Sequence, residues 1–227
     1  MSEPRIEPLG DGALLIRIGD RIDDVTNRMA IALADTLRSA NVPHVRDIAP
    51  AYASVCVRYE IASTNFTTMA SRLRSIVDSV KAVSKDETRD VIDIPVCYGG
   101  EFGPDLDAVA AHASISAEEV IDRHSGANYE VAMLGFMPGF PYLRGLDVTL
   151  YTPRLATPRT RVPAGSVAIG GAQTGIYPRE LPGGWHIIGR TPLVLFDSER
   201  NTPALLQPGQ KIRFARIDPG DFAATQR

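Results

Sequence analysis

Hydrophobic positions obey two different rules along this 227-residue chain. In the first ninety residues, strand-like and helix-like patterns alternate. Ala13–Ile18, introduced by the turn pair Asp11-Gly12, reads as a strand. Val25, Met29, Leu33 and Leu37 recur every four residues, one stripe of an amphipathic helix that stops before Pro43. Val55, Val57, Tyr59 and Ile61 alternate with other residues, which predicts a half-buried strand over 54–61. Met69, Leu73, Ile76, Val77 and Val80 make a second helical stripe, and Val91–Val96 is strand-like again, with Pro95 predicting an edge or a strand end. Strands joined by two crossover-length helices predict a small α/β sandwich of the ferredoxin-like kind.

The polar run 81–90 is the predicted linker. Two short helices follow. Pro104 suits the first position of one, and Ser116 with Glu119 forms a capping box for the other, which runs to Gly126. From Tyr129 onward the rule changes: ten of the 19 glycines and eight of the 17 prolines lie within residues 135–192. Between these turn-formers stand short β-prone runs at 166–169, 185–188, 193–196 and 211–217. Many short strands with Gly- and Pro-rich connections predict an all-β barrel or sandwich. The division is an α/β domain over 1–88 and a β-barrel domain over 89–227, α+β in class.

Composition removes several functions. Hydrophobic residues make up 44% and charged residues 22%, ordinary values for a globular protein. No apolar stretch approaches a membrane span, and Met1–Arg5 lacks an apolar signal core. A net charge of −3 argues against a general nucleic-acid binder. Cys56 and Cys97 have no ligand partners at chelate spacing, which points to reduced thiols in the cytoplasm and no cysteine metal site. The four histidines are scattered, so no metal is expected, and none of the three lysines follows a glycine loop, so a P-loop is absent.

The candidate chemistry lies in the second half. Residues 144–190 hold six arginines, no lysine and two acids. A guanidinium fork suits carboxylate or phosphate, so this window reads as a small-anion site or a dock for an acidic partner, with Arg159 and Arg190 foremost. The chain's general preference for Arg over Lys is the plainer explanation. Leu134–Leu143 puts Phe136, Met137, Phe140 and Tyr142 into a loop that cannot be a helix; it is a core plug, a pocket wall or a contact with another chain. The lone Trp185 follows Gly183-Gly184, which permit positive φ or close backbone approach. Either a hairpin with a core Trp or a binding surface fits. His124 is a helix-end cation or a general acid/base, and Ser166 is a hydrogen-bond donor with no recognisable base to make it a nucleophile.

Four long segments, 135–143, 158–167, 173–178 and 182–192, together with Ile94–Gly100 and Gly103–Leu106, resemble the family of the 5-oxoprolinase B subunit. It is also known as the allophanate hydrolase subunit 1, carboxyltransferase subdomain C/D or KipI family. Leu181 and Gln210 stand where that pattern more often has Ser and Asp. The resemblance implies a cyclophilin-like C-terminal barrel and membership of an assembly that opens 5-oxo-L-proline to L-glutamate. The partners it implies are a C-type protein, similar to allophanate hydrolase subunit 2, and an A-type protein. ATP is then a co-substrate of the complex, on this chain or on a partner. It also implies two other roles held by relatives: inhibition of a sporulation histidine kinase, and part of a urea carboxylase or allophanate system. On this reading Arg159 and Arg190 hold carboxylate or phosphate and His124 transfers protons. Ser166, Gln173 and Tyr177 position the lactam or amide substrate, and Phe140, Tyr142 and Trp185 form apolar walls or the contact with the C-type partner.

Overall fold

The computed structural model describes residues 3–80 and 91–225; the 81–90 linker reading lies outside the described residues. The chain divides into two compact units, residues 1–88 and 89–227.

The first unit contains β1 (Arg5–Pro8), β2 (Ala13–Arg17), α1 (Asp24–Ser39), β3 (Val45–Pro50), β4 (Ser54–Tyr59) and α2 (Phe66–Ser79). Its strands form one antiparallel sheet in the order β1-β2-β4-β3. Strand alternation sends Leu14 and Ile16 of β2 and Val55, Val57 and Tyr59 of β4 to one face. The stripes Met29-Leu33-Leu37 of α1 and Met69-Leu73-Val77 of α2 close over that face. Each helix starts where a side chain satisfies an orphan amide: Asp23 accepts from Thr26 N–H and Asn65 from Thr68 N–H. Two predicted core positions are exposed instead. Val25 lies in the first turn of α1, before the stripe reaches the sheet, and Ile61 lies beyond the end of β4. Strands β1 and β3 had no clear sequence pattern, since neither buries a regular alternating face.

The second unit comprises β5 (Val91–Tyr98), α3 (Leu106–Ala113), α4 (Ala117–Gly126), β6 (Tyr129–Leu134), β7 (Pro141–Arg144), β8 (Arg159–Val162), β9 (Ser166–Gly170), β10 (Gln173–Ile176), β11 (Leu181–Gly183), β12 (His186–Arg190), β13 (Lys211–Arg216) and α5 (Pro219–Thr225). Seven strands close into a barrel in the order β10-β7-β6-β13-β5-β12-β9, and β8 pairs with β11 outside it. Pro95 is tolerated inside β5 because β12 pairs with β5 only at Cys97 and Tyr98, so no ladder partner waits on that side. Leu193–Phe196 is not a strand: it makes one isolated bridge, Phe196 with Ala204, because β9 and β12 already pair and the closed barrel offers no free edge.

Inward residues Ile94, Val96, Tyr129, Val131, Val167, Ile169, Ile188 and Phe214 fill the barrel, and α3 and α4 add Leu106, Val109, Val120 and Ile121 to the same core. Ser116 caps α4 as expected, accepting from Glu119 N–H. The reciprocal half of the capping box is absent, since Glu119 pairs with Arg123. α3 begins at Leu106 and not at Pro104, and the Asp105 carboxylate does not cap it. Asp105 bonds elsewhere, and that is where the site begins.

Candidate functional site

Two groups of chemistry-bearing side chains occupy opposite faces of the barrel wall. Inside, α4 inserts His124 into the core with no exposed surface. Its ring stacks on Phe214 at 4.5 Å. Nδ1 lies 2.8 Å from the Tyr98 hydroxyl, and Nε2 lies 3.1 Å from Thr174 Oγ1. Thr174 donates its proton to the Ala168 carbonyl at 3.0 Å, so its oxygen must accept from Nε2–H, and Nδ1 must accept from Tyr98. The directions are thereby fixed from Tyr98 through His124 and Thr174 to the β9 backbone.

Burial lowers the His124 pKa to about 3, which overturns the helix-end cation reading: the ring stays neutral. Sealed from water and engaged at both nitrogens, it ties α4 to the barrel and is poorly placed to exchange protons with a ligand. The unfolded chain protonates this histidine near pH 6.5 and the folded chain does not, so stability is complete above 6.5 and falls toward pH 3 by up to about 1.4 kcal/mol per unit. Denaturant midpoints measured across that range should show this slope, and His124→Gln should remove it.

Outside, Tyr142 of β7, Gly175 of β10, Ala168 of β9 and Ile187 of β12 share one transverse row. Phe140, Tyr177, Trp185, Val162 and Leu181 cover that row as a separate apolar cluster. Its rings meet edge to face: Phe140 with Trp185 at 5.6 Å, Phe140 with Tyr177 at 5.2 Å, and Tyr142 with Trp185 at 5.9 Å. The indole lies directly on Gly170, where a Cβ would come within 2.5 Å of its ring. The Tyr177 hydroxyl lies under Gly183 in the same way, so Gly183 serves close approach; Gly184 makes only ordinary contacts, and neither glycine takes a positive φ. Trp185 is only 5% exposed, and Phe140 is buried with it; Tyr142 stays half-buried. The core reading therefore holds for the indole, which forms the floor beneath the polar groups described next.

Arg159 carries the polar side of this cluster. Asp105 holds its Nη2 at 2.6 Å through one carboxylate oxygen, while the other accepts from Ile187 N–H at 2.7 Å. This clamp explains the missing α3 cap. Arg154 lies over the Trp185 ring at 5.8 Å. Burial raises the Tyr177 phenol above its usual pKa, opposed by the Trp185 backbone N–H and by the charges of Arg154 and Arg159. Burial raises Tyr142 as well, opposed by Arg154. Two cations and two tyrosines thus border one aromatic floor.

The other predicted positions are not gathered with them. Arg190 donates to the Ala164 carbonyl at 2.8 Å and lies over Phe222 at 5.9 Å. It shares a row with Ser166 and Cys97, both buried. Gln173 opens β10 at the Gly170 pair. Arg161 pairs with Glu180, and Arg144 with Glu130. The six arginines are therefore dispersed, and only Arg154 and Arg159 act at the Tyr177 hydroxyl. Of the greasy loop, Phe140 is core, while Phe136 is 66% exposed at a left-handed φ of 63°.

Sequence reasoning missed Asp105, Tyr98 and Thr174, and it ranked Arg154 below Arg159 and Arg190 within the arginine window. Asp105 looked like an ordinary helix start, and the others have partners only in three dimensions. A cavity of about 290 Å³ lies elsewhere, lined by Cys97, Gly100, Glu101, Phe102, Arg216 and Asp218 among others. Burial and then the Asp218 and Glu101 carboxylates push the Cys97 thiol up, against nucleophilic use. Among the described residues no group of His, Cys, Asp and Glu could hold a metal ion, and no helix is long and apolar enough to cross a membrane.

Comparison with known proteins places this architecture. The 5-oxoprolinase B subunit of Bacillus subtilis (strain 168) is 42% identical over 230 residues, covering 97% of this chain and 95% of that protein. The protein of the same name from Escherichia coli O157:H7 is 41% identical over 94% of this chain and 96% of its own length. The crystal structure of TTHA0988 superposes with a TM-score of 0.81 at 37% identity over 92% of this chain, which spans only 41% of the TTHA0988 chain. The urea carboxylase of Kluyveromyces lactis shares the fold, with a TM-score of 0.75 at 19% identity over 97% of this chain and 22% of that one. The family described as carboxyltransferase domain, subdomain C and D, matches residues 4–206, and to that family the chain belongs.

Proposed function

We propose that this chain is the B-type component of an ATP-dependent 5-oxoprolinase, which opens 5-oxo-L-proline to L-glutamate. The observation that carries the reading is 42% identity over 97% of the chain with a protein of that name. Working partners are a C-type protein, similar to allophanate hydrolase subunit 2, and an A-type protein, in the cytoplasm, where Cys56 and Cys97 stay reduced. The lactam amide is a poor electrophile, and ATP, as co-substrate of the complex, activates it by phosphorylating the lactam oxygen. No P-loop exists in the sequence, so the nucleotide site is of another type on this chain or lies on a partner.

This chain's contribution is binding and orientation. Tyr142, half-buried, supplies the apolar edge over a floor of buried Phe140, Tyr177 and Trp185, and Arg159 supplies the polar edge. His124 acts through Thr174 on the strand β10 that carries Gly175 under Phe140. Arg190, Ser166 and Gln173 belong to neighbouring rows of the same wall. The test is reconstitution: the chain, co-purified with its A-type and C-type partners, releases glutamate from 5-oxoproline only when ATP is present. Stable assembly with a histidine kinase and no glutamate release would replace this reading with a docking module.

A further inference from the structure

β5 and β13 run side by side in the same direction, whereas the other described pairs of the barrel are antiparallel. Parallel strands cannot be joined by a tight turn at their shared end, so their continuations must part. Here they part after the bond of 2.9 Å from Ile217 N–H to the Val96 carbonyl. β5 runs on through Gly99 and Gly100, at φ of 69° and 52°, toward α3, while β13 turns at Pro219 into α5. The cavity of about 290 Å³ opens in this fork. In open α/β sheets a fork at the carboxyl ends of parallel strands is where ligands bind, because no neighbouring strand fills it. The volume stands at the small end of the range for ligand sites.

The lining is acidic. Glu101 and Asp218 are exposed, and neither has a hydrogen bond or ion pair from its carboxylate among the described residues. Arg216 is the cation of the lining, but Glu118 already pairs with it, and Asp122 and Asp218 add their charges around it. Four carboxylates thus face one guanidinium. Arg190 stands opposite Cys97 on β12, yet its guanidinium is held by the Ala164 carbonyl and the Phe222 ring. Alternation on β5 sends Val96 and Tyr98 into the barrel, so Cys97 faces outward into the cavity wall. Its thiol is 3% exposed and has no hydrogen-bond partner among the described residues. Beside it stands Phe102, braced at 4.7 Å by Phe222. Since no described group of His, Cys, Asp and Glu could hold a metal ion, the cation that suits this cavity is organic.

We infer that this cavity binds a small alkylammonium ion, with its charged head at Glu101 and Asp218 and its stem against Phe102 and the Cys97 thiol. An ammonium offers three donors, enough for both carboxylates and the soft thiol sulfur, and an aromatic ring tolerates the cation beside it. Nothing in this site depends on 5-oxoproline, an anion that these carboxylates would repel.

Amide NMR spectra of the full chain, titrated with n-butylamine, n-butanol and butyrate, test this. The amine should give saturable shifts confined to residues 97–102 and 216–219, and n-butanol of the same length should bind at least about fivefold more weakly. Butyrate should give no saturable shift there. Added salt should weaken the amine. Glu101→Gln together with Asp218→Asn should cost about fivefold or more while the remaining amide signals stay native, which shows that the fold is kept. A lysine blocked at both backbone ends separates two sources of the same chemistry: tighter binding than n-butylamine marks a side chain of a partner protein, weaker binding marks a free amine. Equal affinity for n-butylamine and n-butanol, an unchanged Kd in the double variant, or no saturable shift with the amine would overturn the site.

Discussion

His124→Ala is expected to destabilise the barrel unit by about 4 kcal/mol, lowering its Tm by roughly 12 °C. Truncation removes a ring with no exposed surface that stacks on Phe214, and the closed barrel restricts how far the surrounding side chains can relax. It also strips Tyr98 of its acceptor and Thr174 of its donor, and a buried hydroxyl without a partner costs about 1–3 kcal/mol. His124→Gln, which keeps one donor and one acceptor, should recover about half of the loss. Calorimetry resolves the assignment because the residue belongs to the barrel core alone: the transition of the barrel unit should move while that of residues 1–88 stays in place. A change below about 1 kcal/mol would mean that the ring is not a core element, and would return His124 to consideration as a proton carrier.

Gly170→Ala is expected to cost about 2–3 kcal/mol and to displace the Trp185 ring from its seat on β9. The added methyl would stand 2.5–2.6 Å from the indole atoms Cδ1, Nε1 and Cδ2, so the ring face must lift by about 1 Å. It has nowhere to go, since Phe140 and Tyr142 already press their edges against it. Lifting the ring displaces the floor beneath Arg154 and the Tyr177 hydroxyl, and errors of this size are enough to ruin a binding geometry. Near-UV circular dichroism and Trp185 emission should both change before any ligand is added. A variant with native spectra and native stability would show that the indole does not rest on β9, and the floor would have to be redrawn.

What could be read from the sequence divides along a physical line. Periodicity reports burial on one element at a time, so the stripes Met29-Leu33-Leu37 and Met69-Leu73-Val77 and the alternation of β4 were legible directly. It failed where an element buries no regular face, as in β1 and β3, and where apolar residues overrun the element's end, as at Val25 and Ile61. Leu193–Phe196 has strand chemistry but no neighbour to pair with, and pairing is a property of the closed barrel. The glycine- and proline-rich grammar announced a β unit, and long motif resemblance pointed to the family that the comparisons bear out.

The amino-acid sequence alone determined the two units' character, the aromatic and arginine content of the second, and the family. Tertiary structure decided which of those residues meet. Arg159 and Arg190 looked equivalent as isolated fork-shaped cations, yet Asp105 claims one while Ala164 and Phe222 hold the other. His124 looked like a titrating group, and burial made it a neutral link between helix and barrel. The reason is common to all three: charge state and partner choice depend on desolvation and on contacts between residues far apart in the chain, 82 positions from Asp105 to Ile187, and no local pattern encodes them.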